Sequence, residues 1–234
     1  MAETRLSVKL LCNTPNPDSA AAAAARQCYS AKSASELMDS LSSDEVAKLV
    51  RQVVKSGHHS VLEHASFTFA VEGVSRACTH QLVRHRIASY SQQSQRYVRA
   101  KDFDYVVPES IKKNGKAAEF AGFMHAAADL YSRLCDAGID KEDARFVLPN
   151  ACETKIVITM NCRELLHFFE KRTCSRAQWE IRALAEEMMR LCKEKAPLVF
   201  ETAGPSCVSK GVCYEGKMSC GRWKNIPGCV LKGD

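Results

Sequence analysis

Gln81 to Tyr97 reads QLVRHRIASYSQQSQRY, with Arg84, His85, Arg86 and Arg96 spaced around Ser89, Ser91 and Ser94. Four cationic or potentially cationic groups and three hydroxyls in so short a run form a candidate anion site. The stretch contains no lysine. Arginine is the informative choice, because its planar fork of donors pairs two oxygens of one phosphate where lysine offers a point charge. The same run also reads as an ordinary solvated basic face. The pattern predicts a helix from Ser75 to about Arg86, which places the Arg84-His85-Arg86 trio near its C-terminal end, where cations are favoured. The serine-rich segment that follows reads as a loop.

Outward from this run, the flanking sequence alternates helix and strand signals. Phe67, Phe69 and Val71 alternate with Ser66, Thr68, Ala70 and Glu72 as in a half-buried strand, which Gly73 is expected to break. Ser42 and Glu45 make a capping box ahead of Val46, Leu49, Val50, Val53 and Val54 at helical spacing, with Gly57 as the stop. Ser7 to Leu11 reads as a strand, and Pro17-Asp18 opens an alanine-rich helix to about Tyr29. Downstream, a short strand is expected at Asp104 to Val107 and helices at Lys116 to Ala137 and Glu142 to Leu148. A strand carrying Ile156, Ile158 and Met160 follows, then helices at Arg163 to Lys171 and Ala177 to Lys195. Helices outnumber strands and the strands lie among them, so the fold class is α/β mixed.

With 234 residues, 46% of them hydrophobic, the chain suffices for a sizeable core. Its net charge of +6 is spread along the chain, which suits small anions better than a nucleic-acid polyanion. No apolar run approaches the roughly 20 residues of a membrane span, and no signal peptide is evident. The expected location is cytoplasmic, with no membrane partner. The twelve cysteines are then expected to be reduced thiols, since a core of this size does not need disulfide staples.

Residues 204–234 differ in composition and form a separate C-terminal tail after a 1–203 domain. Cys207, Cys213, Cys220 and Cys229 lie there among glycines and prolines. Their gaps of five, six and eight residues lack the short paired spacing of zinc ribbons, so metal, redox sensitivity and a solvent-facing tail all stay open. In the body, His58, His59, His64, His80 and His85 form no HExxH pattern, and no metal site is assigned. GxSxG, Walker A and GxGxxG patterns are absent, and none of the cysteines sits in an activating motif. What chemistry the chain performs must therefore rest on its arginines.

Arg84-His85-Arg86, then seven residues, then Ser94 and Arg96, resembles the signature of flavin-dependent thymidylate synthases (the ThyX family). GHHSVLEHASFTF at Gly57 to Phe69, ARFVLP, MNCRELLHFF and KRTCSRAQWEI are similar to further motifs of that family, in the same order. The resemblance spans about Ala24 to Phe200. It implies a ThyX-type fold, with several helices packed around a mainly antiparallel sheet in one domain that assembles as a homotetramer with sites at subunit interfaces. It also implies FAD as cofactor, and reductive methylation of dUMP to dTMP with methylenetetrahydrofolate as carbon donor and NADPH as reductant.

Carried over by position, the resemblance assigns His58, Ser60, Arg84, His85, Arg86, Gln92, Asn161, Arg163 and His167 to the flavin. It assigns Gln81, Arg84, Gln92, Ser94, Gln95, Arg96, Arg145 and Arg172 to dUMP. Arg172 matches the catalytic residue that polarises the uracil at N3. Ser91 and Gln92 stand where the family often has Asn and Glu, and Cys28 and Arg176 also depart from the pattern and carry no role. A competing class is a non-catalytic nucleotide- or RNA-binding protein, in which Arg96 beside Tyr97 stacks on a base.

Overall fold

In a computed structural model, which describes residues 1–100 and 102–233, ten helices and six strands follow in chain order. Strand β1 (Ser7–Asn13) leads into α1 (Pro17–Gln27), α2 (Ala34–Ser40) and α3 (Ser43–Ser56). Next come β2 (Ser66–Ser75), α4 (Arg76–Leu82), β3 (Ala88–Gln92), α5 (Glu109–Lys113), α6 (Ala117–Asp136) and α7 (Lys141–Ala144). The chain continues through β4 (Glu153–Asn161), α8 (Cys162–Arg172) and α9 (Trp179–Lys195), then α10 (Ser206–Ser209), β5 (Val212–Cys213) and β6 (Val230–Leu231). Four strands form one sheet in the order β1-β2-β4-β3, and β5 and β6 pair in parallel. Contacts fix the sense of the larger sheet: Thr14 meets Ser66 while Arg5 meets Gly73, and Thr68 meets Thr159 while Gly73 meets Glu153. Descending numbers on one strand face ascending numbers on the next, so these pairs are antiparallel.

Local signals explain the helices that were legible. Ser42 accepts from the Glu45 amide and Glu45 reaches back to Ser42, while Gly57 ends α3 in the left-handed region at φ 76°. A second box, Ser33 with Glu36, starts α2, a helix not anticipated from its short and weakly periodic sequence.

Four expectations change. Gly73 does not break β2, which continues to Ser75. With φ at 71°, a Cβ on Gly73 would stand 1.9 Å from the Arg5 carbonyl oxygen, so glycine admits close strand approach instead of ending the strand. Gly73→Ala should therefore cost on the order of 2 kcal/mol, read as a lower denaturant midpoint at unchanged slope; an unchanged midpoint would refute this account.

The helix expected to reach Arg86 stops at Leu82. Tyr90 donates its hydroxyl to the Leu82 carbonyl at 2.9 Å, satisfying a helix-end acceptor and turning the chain before the cationic trio. The serine-rich stretch is strand β3, in which Ala88, Tyr90 and Gln92 are the more buried positions and Ser89 and Ser91 are exposed. Small polar residues conceal that period-two pattern. Asp104 to Val107 forms isolated bridges at Tyr105, to Glu3 and to Cys152, where a short strand was expected.

The chain divides into two compact units. The first holds Met1–Lys9, Ala70–Arg84 and Tyr90–Ile158, and it contains a cluster of Tyr105, Val107 and Met124 with Phe103, Ile111 and Phe120 packed against it. The second holds Leu10–Phe69, His85–Ser89 and Thr159–Asp234. Its core is aromatic: Phe67 meets Phe200 edge-on at 5.8 Å and Phe169 meets Phe200 at 5.7 Å. Asp18 accepts from the Leu198 and Val199 amides at 3.1 and 3.0 Å, tying α1 to the segment after α9. Burial nonetheless raises its pKa, with those amides opposing the rise.

Within the second unit the tail is folded rather than wholly solvent-facing, since Cys207 and Cys213 are buried. Lys210 pairs with Glu170 of α8 at 2.7 Å. All twelve cysteines are free, and among the described residues no group of three or more His, Cys, Asp or Glu side chains is placed to hold a metal ion. Among these residues no helix is long and apolar enough to cross a membrane.

Candidate active site

In the second unit, α8 organises the candidate site. Asn161 caps the helix, its Oδ1 accepting from the Glu164 amide at 2.9 Å, and Arg172 is its last residue. Asn161, Arg163, Glu164 and His167 from this helix line a cavity of about 1020 Å³, opposite Lys55, Gly57 and His59 from α3 and the turn beyond it. Val54, Ile87, Leu166 and Leu198 supply apolar wall. Such a mixture of apolar surface and a few convergent polar groups is the usual make-up of a small-molecule site. Arg163 is exposed and pairs with Glu63 at 2.5 Å. His58 and Ser60 flank His59 at the start of a short 3-10 turn, both exposed; the His58 amide donates to the Val53 carbonyl at 3.2 Å.

His85 is placed differently from an outward-facing cofactor contact. Its side chain is 5% exposed, with Nδ1 3.1 Å from Glu164 Oε1, and Arg172 Nε donates to its Nε2 at 3.1 Å. The ring stands edge-on to Phe168 at 4.9 Å. Burial first, then the neighbouring Arg172 and His167, lowers the His85 pKa to about 4, so the ring is neutral at physiological pH. Burial raises the pKa of Glu164 and lowers that of His167.

The first unit holds the other residues singled out by sequence. Arg96 places Nε and Nη2 at 2.8 and 2.7 Å from Glu142 Oε2, and its guanidinium carbon lies 5.7 Å from the Tyr97 ring centre. Arg145 Nε donates to the Glu142 carbonyl at 3.0 Å. Ser94 Oγ accepts from the Arg96 amide at 3.2 Å, and Ser94 and Gln95 line a separate cavity of about 540 Å³. Gln92 turns inward, its Nε2 donating to Thr79 Oγ1 at 3.1 Å and Thr154 Oγ1 at 3.2 Å, so its amide protons serve to fasten β3. Gln81 is half-buried, and Arg84 is exposed with no ion pair among the described residues. Arg86, in the second unit, is exposed and likewise unpaired among them.

Residues 9–198 match the family described as thymidylate synthase complementing protein. A flavin-dependent thymidylate synthase of Geobacter sulfurreducens is 56% identical over 220 residues, covering 93% of this chain and 94% of that protein. The chain belongs to the flavin-dependent thymidylate synthase family. Another synthase of that name, from Clostridium tetani, is 49% identical over 93% of this chain and 94% of its own length. A crystal structure of a UMP/dUMP methylase, PolB, from Streptomyces cacaoi with 5-Br dUMP bound superposes with a TM-score of 0.76 at 26% identity. That match covers 86% of this chain and 95% of PolB.

Family motifs led to Asn161, Arg163 and His167, but several walls of the cavity lay outside them. Arg51 and Lys55 line it from α3, and Arg51 pairs with Glu201, another lining residue, at 2.9 Å. Their i,i+4 spacing on the polar side of an amphipathic helix was a readable signal. Ser209 and Lys210 enter the wall from beyond the matched residues, and no local pattern marks them.

Proposed function

We propose that this chain is a flavin-dependent thymidylate synthase that methylates dUMP to dTMP, with FAD as its cofactor, methylenetetrahydrofolate as carbon donor and NADPH as reductant. The observation that carries this reading is the α8 arrangement: Asn161, which caps the helix, and Arg163 and His167 on it line the cavity, and the helix ends in Arg172, which is held by buried His85. The donor set suits a flavin dinucleotide, since cations at Lys55, Arg163 and Lys210 match its phosphates and the apolar wall suits its ring. When bound, FAD supplies the hydride that completes the methyl group; the chain's residues bind, orient and stabilise charge.

Arg172 has the central role in that division of labour. Its Nε is committed to His85, while its Nη groups make no protein hydrogen bond among the described residues. A fixed cation that donates to uracil O2, and to N3 once that nitrogen has lost its proton, stabilises negative charge that develops on the ring. The assignment of His58, Ser60, Arg84, Arg86, Asn161, Arg163 and His167 to the flavin belongs to this proposal. So does that of Gln81, Arg84, Ser94, Gln95, Arg96 and Arg145 to dUMP. His85 and Gln92 are better read as groups that hold others in place, because their nitrogens are already engaged. We also propose residues 1–203 as the catalytic region, 204–234 as an appended tail, and a homotetramer that completes the sites between subunits.

The purified protein mixed with FAD should show flavin absorption that stays with it through gel filtration. It should form dTMP from dUMP, methylenetetrahydrofolate and NADPH. A colourless protein that binds nucleotide without turnover would favour the non-catalytic reading instead.

A further inference from the structure

We propose that Glu164 is a positioning residue for Arg172, acting through the His85 ring. The inference rests on the role given to Arg172 above and adds the two groups that aim it.

Hydrogen-bond accounting gives the direction of every proton. Arg172 Nε carries a hydrogen and cannot accept, so His85 Nε2, 3.1 Å away, must present a lone pair. A neutral imidazole has one N–H, which then sits on Nδ1 and donates to Glu164 Oε1 at 3.1 Å. A protonated Glu164 donating to Nδ1 would leave both ring nitrogens as acceptors, which a neutral ring cannot supply. The carboxylate therefore fixes the tautomer, and the tautomer fixes the acceptor that Arg172 needs.

Helix geometry places the three groups in line. Glu164, Phe168 and Arg172 are four residues apart on α8 and share one face, separated by about 6 Å per step. The His85 ring lies against this face, edge-on to Phe168 at 4.9 Å and 90°, and reaches a group at either end. Side-chain exposures of 5% for His85 and 8% for Glu164 exclude water as a ready substitute partner. Without the carboxylate, Nδ1–H loses the Glu164 acceptor that holds the proton there, and the ring can move its proton to Nε2, where it opposes Arg172 Nε–H. Arg172 then loses its anchor while keeping its charge.

Glu164→Ala should lower kcat for dTMP formation about 10- to 100-fold, the size usual for a group that orients a catalytic one, with a much smaller change in KM for dUMP. Glu164→Gln, whose amide oxygen still accepts from Nδ1–H, should restore most of kcat. On an Arg172→Ala background, Glu164→Ala should cost little further, because the residue it positions is gone. Should Glu164→Ala not fold, Glu164→Asp takes its place: one methylene shorter, it should show the same kcat loss in milder form. Full turnover in Glu164→Ala or Glu164→Asp, failure of Glu164→Gln to recover turnover, or an undiminished loss on the Arg172→Ala background would overturn the proposal. Full turnover in Arg172→Ala alone would instead overturn the role of Arg172, so the two failures are distinct.

Discussion

Arg172→Ala should reduce kcat for dTMP formation by about 10²–10³-fold, the size seen when one preorganised donor to a developing negative charge is removed. The expectation follows from how the side chain is held. Its Nε bond to His85 leaves the two Nη groups to face a ligand without first breaking a protein contact. FAD retention by the variant should be little changed, because the cavity-lining groups of α8 and α3 do not include Arg172. Arg172→Lys should recover only a small part of the activity, since an ammonium cannot donate to His85 and present a planar pair of donors together. Single-turnover measurement of dTMP at saturating dUMP would separate chemistry from binding, and near-normal turnover in Arg172→Ala would exclude the assigned role.

Saturating FAD or saturating dUMP, added singly, should raise the apparent melting temperature by roughly 5–10 °C. Ligand at about 100 times its dissociation constant adds about 2.7 kcal/mol, and a chain of this size gains roughly 2–4 °C per kcal/mol. The physical source is charge. Arg84 and Arg86 carry no carboxylate partner among the described residues, so no ion pair compensates either charge and bound anions would neutralise them. Arg96 differs, because Glu142 already occupies its fork, and a phosphate bound there would have to replace that carboxylate. The shift should shrink as ionic strength rises, since Arg84 and Arg86 are exposed. Melting unchanged by either ligand would contradict the anion-site reading of the run from Gln81 to Tyr97.

What the sequence made legible was local or periodic. The capping box at Ser42 and Glu45, the αL glycine at Gly57 and the valine stripe between them set α3 because each acts within a few residues. The alternation through Ile156, Ile158 and Met160 set β4 for the same reason. Failures came where distant groups decided the backbone. Tyr90 ends α4 through a hydroxyl eight residues away, and Arg5 makes Gly73 a place of close approach rather than a strand end. At the site, ordered motifs pointed to α8 and to the Arg84-His85-Arg86 trio, but motif position could not tell an arginine facing solvent from a histidine turned into the core.

By itself the sequence determined the family and the mixed α/β class and nominated the residues proposed for the chemistry, because motif order and hydrophobic period are written along the chain. The tertiary structure decided the orientation of those residues. Burial of His85 against Phe168, with a carboxylate at one nitrogen and Arg172 at the other, depends on residues 79 and 87 positions apart along the chain. Only folding brings such groups within hydrogen-bond reach, and the cost of leaving any of them unpaired in a dry interior fixes which proton each one holds.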